Sequence, residues 1–204
     1  IEGTGRKAPL HYHWIGDELL PDFRARSAQG EERRTPALVF CFDRNVCWDT
    51  AEVLRGKDLF VEGQRQALLD RLEAFDFSVG LGNKLRTFLA RGIGIYHAGL
   101  LRRYRRLVAT ICLATLMQIC VCTETLAAGI NLPARSVILT TLVKGPRDKK
   151  KLIDPSSAQQ MFGRAGRPQF DPDGHVFAMA HEDDVKLARW KVKYDGIPED
   201  TKDP

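Results

Sequence analysis

Arg164 and Arg167 stand three residues apart in QMFGRAGRPQFDPDG, residues 160 to 174, each directly after a glycine. Two guanidinium groups at that spacing suit a doubly negative ligand such as a phosphate, because each planar fork can grip two oxygens at once. With residues 155 to 165 helical, Gln160 and Arg164 fall four apart on one face, and Arg167 leaves the helix on the same side. Gly163 and Gly166 remove side chains that would hold a ligand away. A structural salt-bridge role is the plainer reading, but the nearest carboxylates, Asp171 and Asp173, come only after the following turn. The sharper reading is charge stabilisation of a phosphoryl group in transfer. The chain has no glycine-rich loop ending in Gly-Lys-Ser or Gly-Lys-Thr, and GKD at 56 to 58 lacks the loop altogether. AHEDD at 180 to 184 faintly resembles an acidic metal motif and reads as the start of a helix.

Two other stretches carry possible chemistry. In TETLAAGINLPA, residues 123 to 134, Thr123 offers a hydroxyl and a backbone N–H at a helix start, a ready anion contact. Gly129 lets the chain approach a ligand closely, and Asn131 adds a short amide at the same edge. A polar helix cap followed by a turn explains these residues equally well. In LLRRYRRLVATICLATL, residues 100 to 116, helical spacing gathers Leu100, Leu101, Tyr104, Leu107, Val108 and Ile111. They fall within an arc of roughly 120°. Arg102, Arg103, Arg105 and Arg106 fill the opposite side with no acidic residue among them. Such a face is either merely solvated or suited to a phosphate backbone.

These residues need a scaffold. The 204 residues suit one domain with a proper core. Hydrophobic residues make up 44% and charged ones 28%, which excludes a disordered chain. The net charge of +5 favours a polyanionic partner only modestly, because 31 basic residues are interleaved with 26 acidic ones. Cys41, Cys120 and Cys122 lie in apolar runs without a CxxC pair, which predicts reduced core thiols rather than zinc or disulfides. Cytoplasmic localisation, in a reducing compartment, follows as the expectation. No apolar run reaches the roughly 20 residues of a membrane span, so no membrane contact is expected. The first residue is Ile1, not Met, which suggests a domain cut from a longer chain.

Strand-like and helix-like stretches alternate. Strands are expected at 9 to 15, 37 to 42, 92 to 96, 118 to 122, 135 to 143 and 174 to 180. Helices are expected at 17 to 28, 45 to 55, 63 to 75, 83 to 91, 100 to 116, 123 to 129, 155 to 165 and 182 to 191. Asp154 serves as N-cap of the helix at 155, with Pro155 in its first position. KGPRDKKK, 144 to 151, reads as a basic loop. The pattern predicts an α/β domain with a mostly parallel central sheet. The loops DRN, HAGL and TETLAAG each follow a strand and should crowd one edge of it, where such sheets bind ligands.

VCTETLAAGINLPA resembles motif V, and QMFGRAGRPQFDPDG motif VI, of superfamily 2 helicases. The wording is that of the DExH branch containing the superkiller and exosome-cofactor RNA helicases and their DNA-repair relatives. ALVFCFDR resembles motif IV, and YHAGLL the motif between IV and V in that branch. The four occur in the right order over residues 37 to 180. The resemblance implies a three-layer RecA-like domain of the P-loop NTPase type, the second of two in a helicase core. Residues 1 to 36 would form an edge strand and connecting helix, 37 to 191 the core, and 192 to 204 a tail. ATP and Mg²⁺ would be bound mainly by a first RecA-like domain upstream, so the present residues alone should not hydrolyse ATP. Carried onto this chain, Arg164 and Arg167 are arginine fingers, with Gln160, Gly163, Gly129 and Asn131 on the nucleotide side. Arg44, His97, Gly99, Arg102, Arg103, Arg106 and Thr123 face single-stranded RNA or DNA, and the resemblance favours RNA. Members of the branch often carry Ser or Thr where this chain has Asp43, and the segment ATICLATLM, 109 to 117, is more apolar than theirs. A catalytically inert nucleic-acid-binding or scaffolding module of the same fold is the alternative. An unrelated α/β domain for a small phosphorylated ligand would need a glycine-rich loop after the first strand, where FDRN stands.

Overall fold

A computed structural model of the chain describes residues 34–58, 60, 63–132, 134–145, 149–166 and 173–179. The strand expected at 9 to 15, the helices expected at 17 to 28 and 182 to 191, and AHEDD lie outside these residues. The strands are β1 (Ala37–Cys41), β2 (Ile93–Tyr96), β3 (Ile119–Thr123), β4 (Ser136–Leu139), β5 (Val143–Lys144), β6 (Lys151–Leu152) and β7 (His175–Ala178). The helices are α1 (Arg44–Leu54), α2 (Gln64–Glu73), α3 (Gly82–Leu89), α4 (Arg102–Leu113), α5 (Thr125–Gly129) and α6 (Pro155–Phe162).

Five strands form one sheet in the order β2-β3-β1-β4-β7, and every neighbouring pair is parallel. This is the expected α/β architecture, a parallel sheet covered by crossover helices. The central place of β1 follows from its composition. ALVFC has no polar residue, and all five side chains are buried, as a strand covered on both faces requires. β7 lies at the edge and alternates half-buried with exposed residues. The cysteines behave as core residues: Cys41, Cys47, Cys120 and Cys122 are buried and all five are free thiols.

Three elements depart from expectation. The strand predicted over 135 to 143 stops at Leu139. There the Thr140 hydroxyl donates to the Phe40 carbonyl at 3.1 Å, and the Thr141 hydroxyl accepts from the Val143 backbone N–H at 3.2 Å. The Phe40 carbonyl also takes the Thr140 N–H at 3.1 Å as the last rung, and Thr141 then draws the Val143 N–H into a local turn instead of a ladder. The chain then turns into an antiparallel hairpin, with Val143 opposite Leu152 and Lys144 opposite Lys151, where only a basic loop was expected.

The helix predicted over 100 to 116 is also shorter. Leu101 lies ahead of α4 and is 46% exposed rather than buried. Ala109, Ile111 and Met117 are buried, which accounts for most of the apolar segment before β3, though Leu113 is 60% exposed. Tyr104 is the largest fully buried side chain of the core and donates its hydroxyl proton to the Val79 carbonyl at 2.6 Å. Gly82 is required beside it, since a Cβ there would meet the Phe77 oxygen at 2.1 Å and the Tyr104 hydroxyl at 2.2 Å.

Third, α6 ends at Phe162, short of residue 165. Its start agrees with expectation, because Asp154 accepts from the Ser157 N–H at 2.9 Å and Pro155 opens the first turn.

Candidate functional site

Because β1, β2 and β3 are parallel, the turns after them share one edge of the sheet. There the structure brings Arg44, His97 and Gly99 together. A Cβ on Gly99 would sit 3.1 Å from Arg44 Nη1 and 3.1 Å from His97 Nδ1. His97 is buried, and its Nδ1 accepts the Gly99 N–H at 3.1 Å. In the neutral ring the proton must then sit on Nε2, which has no partner among the described residues. Burial, then the Arg44 charge, pushes the His97 pKa down, so the ring stays neutral at neutral pH. Trp48, one turn after Arg44, fixes the imidazole by an edge contact at 6.1 Å.

Asp43 has a local task. It is the N-cap of α1 and accepts from the Asn45 N–H at 2.7 Å and the Val46 N–H at 3.4 Å. It thereby orients the turn that presents Arg44, and a serine could do the same. Asp43→Ala is expected to cost about 1 kcal/mol of stability, and Asp43→Ser to recover most of it. Urea unfolding of the two variants side by side checks this.

The arginine face of α4 is not uniform. Arg102 and Arg106 are exposed, and Arg105 is half-buried with an Nε that has no partner among the described residues. Arg103 stands among arginines with no acidic residue between them, yet the fold brings it one. It donates to the Asp76 carbonyl at 2.7 Å and the Asp76 carboxylate at 3.2 Å, and lies 5.0 Å over the Phe75 ring. Arg103 therefore braces the turn before α3. The Asp76 carboxyl is held below its ordinary range, first by hydrogen bonds from Ser78 and then by Arg103. Thr123, expected to present a free hydroxyl, pairs with the Thr125 hydroxyl at 2.6 Å. One of the two protons stays available, since only one serves that bond.

The second cluster forms around Arg164. The expected i, i+4 register of Gln160 and Arg164 within a helix does not occur, because Arg164 lies in the turn beyond α6. The cause is tertiary. The Ala134 N–H donates to the Arg164 carbonyl at 2.9 Å and the Gly166 N–H to the Ala134 carbonyl at 2.7 Å, which draws the chain out of the helix and beside the approach to β4. Gly166 has φ +88°, a left-handed backbone that favours glycine, so its role is conformational as well as steric. The Arg164 side chain donates through Nη1 to Asn131 Oδ1 and through Nη2 to the Ala127 carbonyl in α5. Asn131 thus meets Arg164, seated by the loop that follows Gly129. Two of the five guanidinium donors are used in this way. No carboxylate among the described residues pairs with Arg164, so the salt-bridge reading lacks a partner. The unspent donors fit an anion, and Gln160, Gly163 and Asn131 are exposed around the same turn. Arg167 lies outside the described residues.

Lys144 carried no signal of its own in the sequence. It belongs to the supposed basic loop, yet it sits at the root of the hairpin. Its Nζ donates to Glu124 at 3.2 Å and to Asp154 at 3.4 Å.

No family model matches the chain. It is 33% identical over 155 residues to the DExH-box ATP-dependent RNA helicase DExH11 of Arabidopsis thaliana, covering 72% of this chain and 12% of the relative. It is 30% identical over 170 residues to the antiviral helicase SKI2 of Saccharomyces cerevisiae, covering 80% and 13%. It is 41% identical to the DExH-box ATP-dependent RNA helicase DExH14 of Arabidopsis thaliana, covering 92% and 9%. The chain thus spans a small fraction of these relatives' length. Among the described residues, no helix is long and apolar enough to cross a membrane.

Proposed function

The chain belongs to the superfamily 2 DExH helicases of the superkiller branch, and from that premise we propose that it forms the second RecA-like lobe of an ATP-dependent RNA helicase. Its first partner is the preceding RecA-like lobe of the same protein, which holds most of the ATP and the Mg²⁺. Bound between the lobes, ATP supplies the phosphoryl group whose hydrolysis drives the cycle. This chain contributes positive charge at that group from Arg164 and Arg167. Gln160, Gly163, Gly129 and Asn131 shape the wall that carries them. Arg44, His97, Gly99, Thr123, Arg102 and Arg106 hold the single strand, with Arg103 acting from behind by bracing its turn. Alone, the 204 residues do not turn over ATP.

One observation carries the reading: the Arg164 guanidinium is anchored on Asn131 and Ala127, so the two stretches richest in phosphate chemistry form one unit. A separate cluster, Arg44 with His97 and Gly99, stands at the strand-end edge. Two anion-seeking clusters on one rigid sheet are what coupling nucleotide to nucleic acid requires. The test is ATP turnover by the full-length protein with and without single-stranded RNA. Turnover that rises with RNA supports the reading, and turnover indifferent to RNA and to DNA contradicts it.

A further inference from the structure

Lys144 belongs to neither cluster, yet it touches the starts of α5 and α6, the two helices that Arg164 also joins. Glu124 directly follows Thr123 and precedes the first residue of α5. Asp154 is the N-cap of α6. The single ammonium therefore bridges the starts of these two helices, at 3.2 Å and 3.4 Å. At the far end of α6 the two elements are bridged again, by Arg164 from the turn after α6 to the carbonyl of Ala127 in the middle of α5. Two cross-links, at the two ends of α6 and at the start and middle of α5, tie α5 and α6 together. The Lys144 side chain is only 23% exposed, which limits screening by solvent. The Glu124 carboxylate, with Asp154 behind it, raises the Lys144 pKa, and the Asp154 carboxyl is pulled down chiefly by the Ser157 backbone and hydroxyl. Lys144 and Asp154 therefore stay charged across the neutral range.

We infer that Lys144 is a positioning residue that carries displacement of the strand-facing Thr123 to Arg164 by way of Glu124, so that a bound strand sets the place of the finger. The inference rests on the proposed helicase reading. Its physical basis is that a strand bound at Thr123 can move Arg164 only through a body that does not bend. Without the ammonium, the Glu124 and Asp154 carboxylates repel one another across the gap, and of the two cross-links only the one from Arg164 to Ala127 remains. The Lys144 ammonium is engaged by Glu124 and Asp154 and is assigned to neither binding surface, so its loss should spare each binding step and break their linkage.

The experiment uses the full-length protein, with ATP turnover measured with and without saturating single-stranded RNA. In Lys144→Met, RNA-stimulated turnover should fall about tenfold while unstimulated turnover and RNA affinity stay within about twofold, a loss in the range of ordinary coupling energies. Lys144→Arg, which keeps the charge, should retain most of the stimulation. Glu124→Gln should reproduce the Lys144→Met effect, and the double variant should be no worse than either single one, because both remove the same link. If Lys144→Met folds poorly, seen as a lowered melting temperature, Glu124→Gln carries the test. Stimulation that survives in these variants, or stimulated and unstimulated turnover that fall by the same factor, overturns the inference. An unmutated protein without stimulation overturns the helicase reading and the inference with it.

Discussion

Arg164→Ala in the full-length protein is expected to lower RNA-stimulated ATP turnover by ~10³-fold or more, the scale at which arginine fingers act. The loss should appear in kcat, because charge developing on the phosphoryl oxygens is stabilised more in the transition state than in bound ATP. The anchoring of Arg164 sharpens the expectation. Its Nη groups already hold Asn131 and the Ala127 carbonyl, so the alanine variant also unties α5 from the turn after α6. Arg164→Lys separates these contributions. Lysine keeps the positive charge but cannot fork between two acceptors while facing a third. Turnover close to the alanine variant would mean that the fork is what matters. Substantial recovery would mean that charge suffices. ATP turnover against substrate concentration, at saturating RNA, resolves kcat from KM for both variants.

The second large effect concerns the strand. Neutralising Arg102 and Arg106 together should weaken RNA binding and flatten its salt dependence. Every phosphate of a single strand that no longer meets a guanidinium takes about 0.7 off the slope of log K against log salt. Arg103 should behave differently although it is their neighbour. Its guanidinium is occupied by Asp76 and stacked on Phe75, so Arg103→Gln should leave the slope nearly unchanged and lower thermal stability instead. Fluorescence anisotropy of a labelled RNA across a salt series reads the slopes, and thermal melting reads the stability. A slope that does not respond to the Arg102 and Arg106 substitutions would reduce the helix to a solvated face.

The contrast between these arginines shows what a sequence can and cannot carry. Periodicity placed all four on one face of α4, because an arc is set by local geometry. The partner of Arg103 is Asp76, 27 residues earlier, and no local pattern points to it. β1 was legible because a strand buried on both faces must be apolar throughout. β5 and β6 were not, since two-residue strands are too short to have a period. The start of α6 could be read from Asp154 and Pro155, which cap any helix by local chemistry. Its end could not, because the chain is pulled out at Arg164 by backbone bonds to Ala134, and a backbone acceptor has no residue type to announce it. The same holds for the Ala127 carbonyl that seats Arg164. Asp43, which departs from the branch's usual Ser or Thr, is explained by the cap it forms on α1, a role that aspartate and serine share.

In the proposed reading, Arg167 supplies charge to a reaction held mostly by another lobe. Single-turnover hydrolysis of ATP by the full-length protein saturated with single-stranded RNA, with and without Arg167→Ala, tests it most directly, because it isolates the chemical step from binding and product release. With Arg167→Ala the hydrolysis step is expected to slow by ~10³-fold or more with ATP and RNA affinities nearly unchanged. A hydrolysis rate that survives the substitution, or a loss that lies wholly in ATP affinity, would contradict that reading.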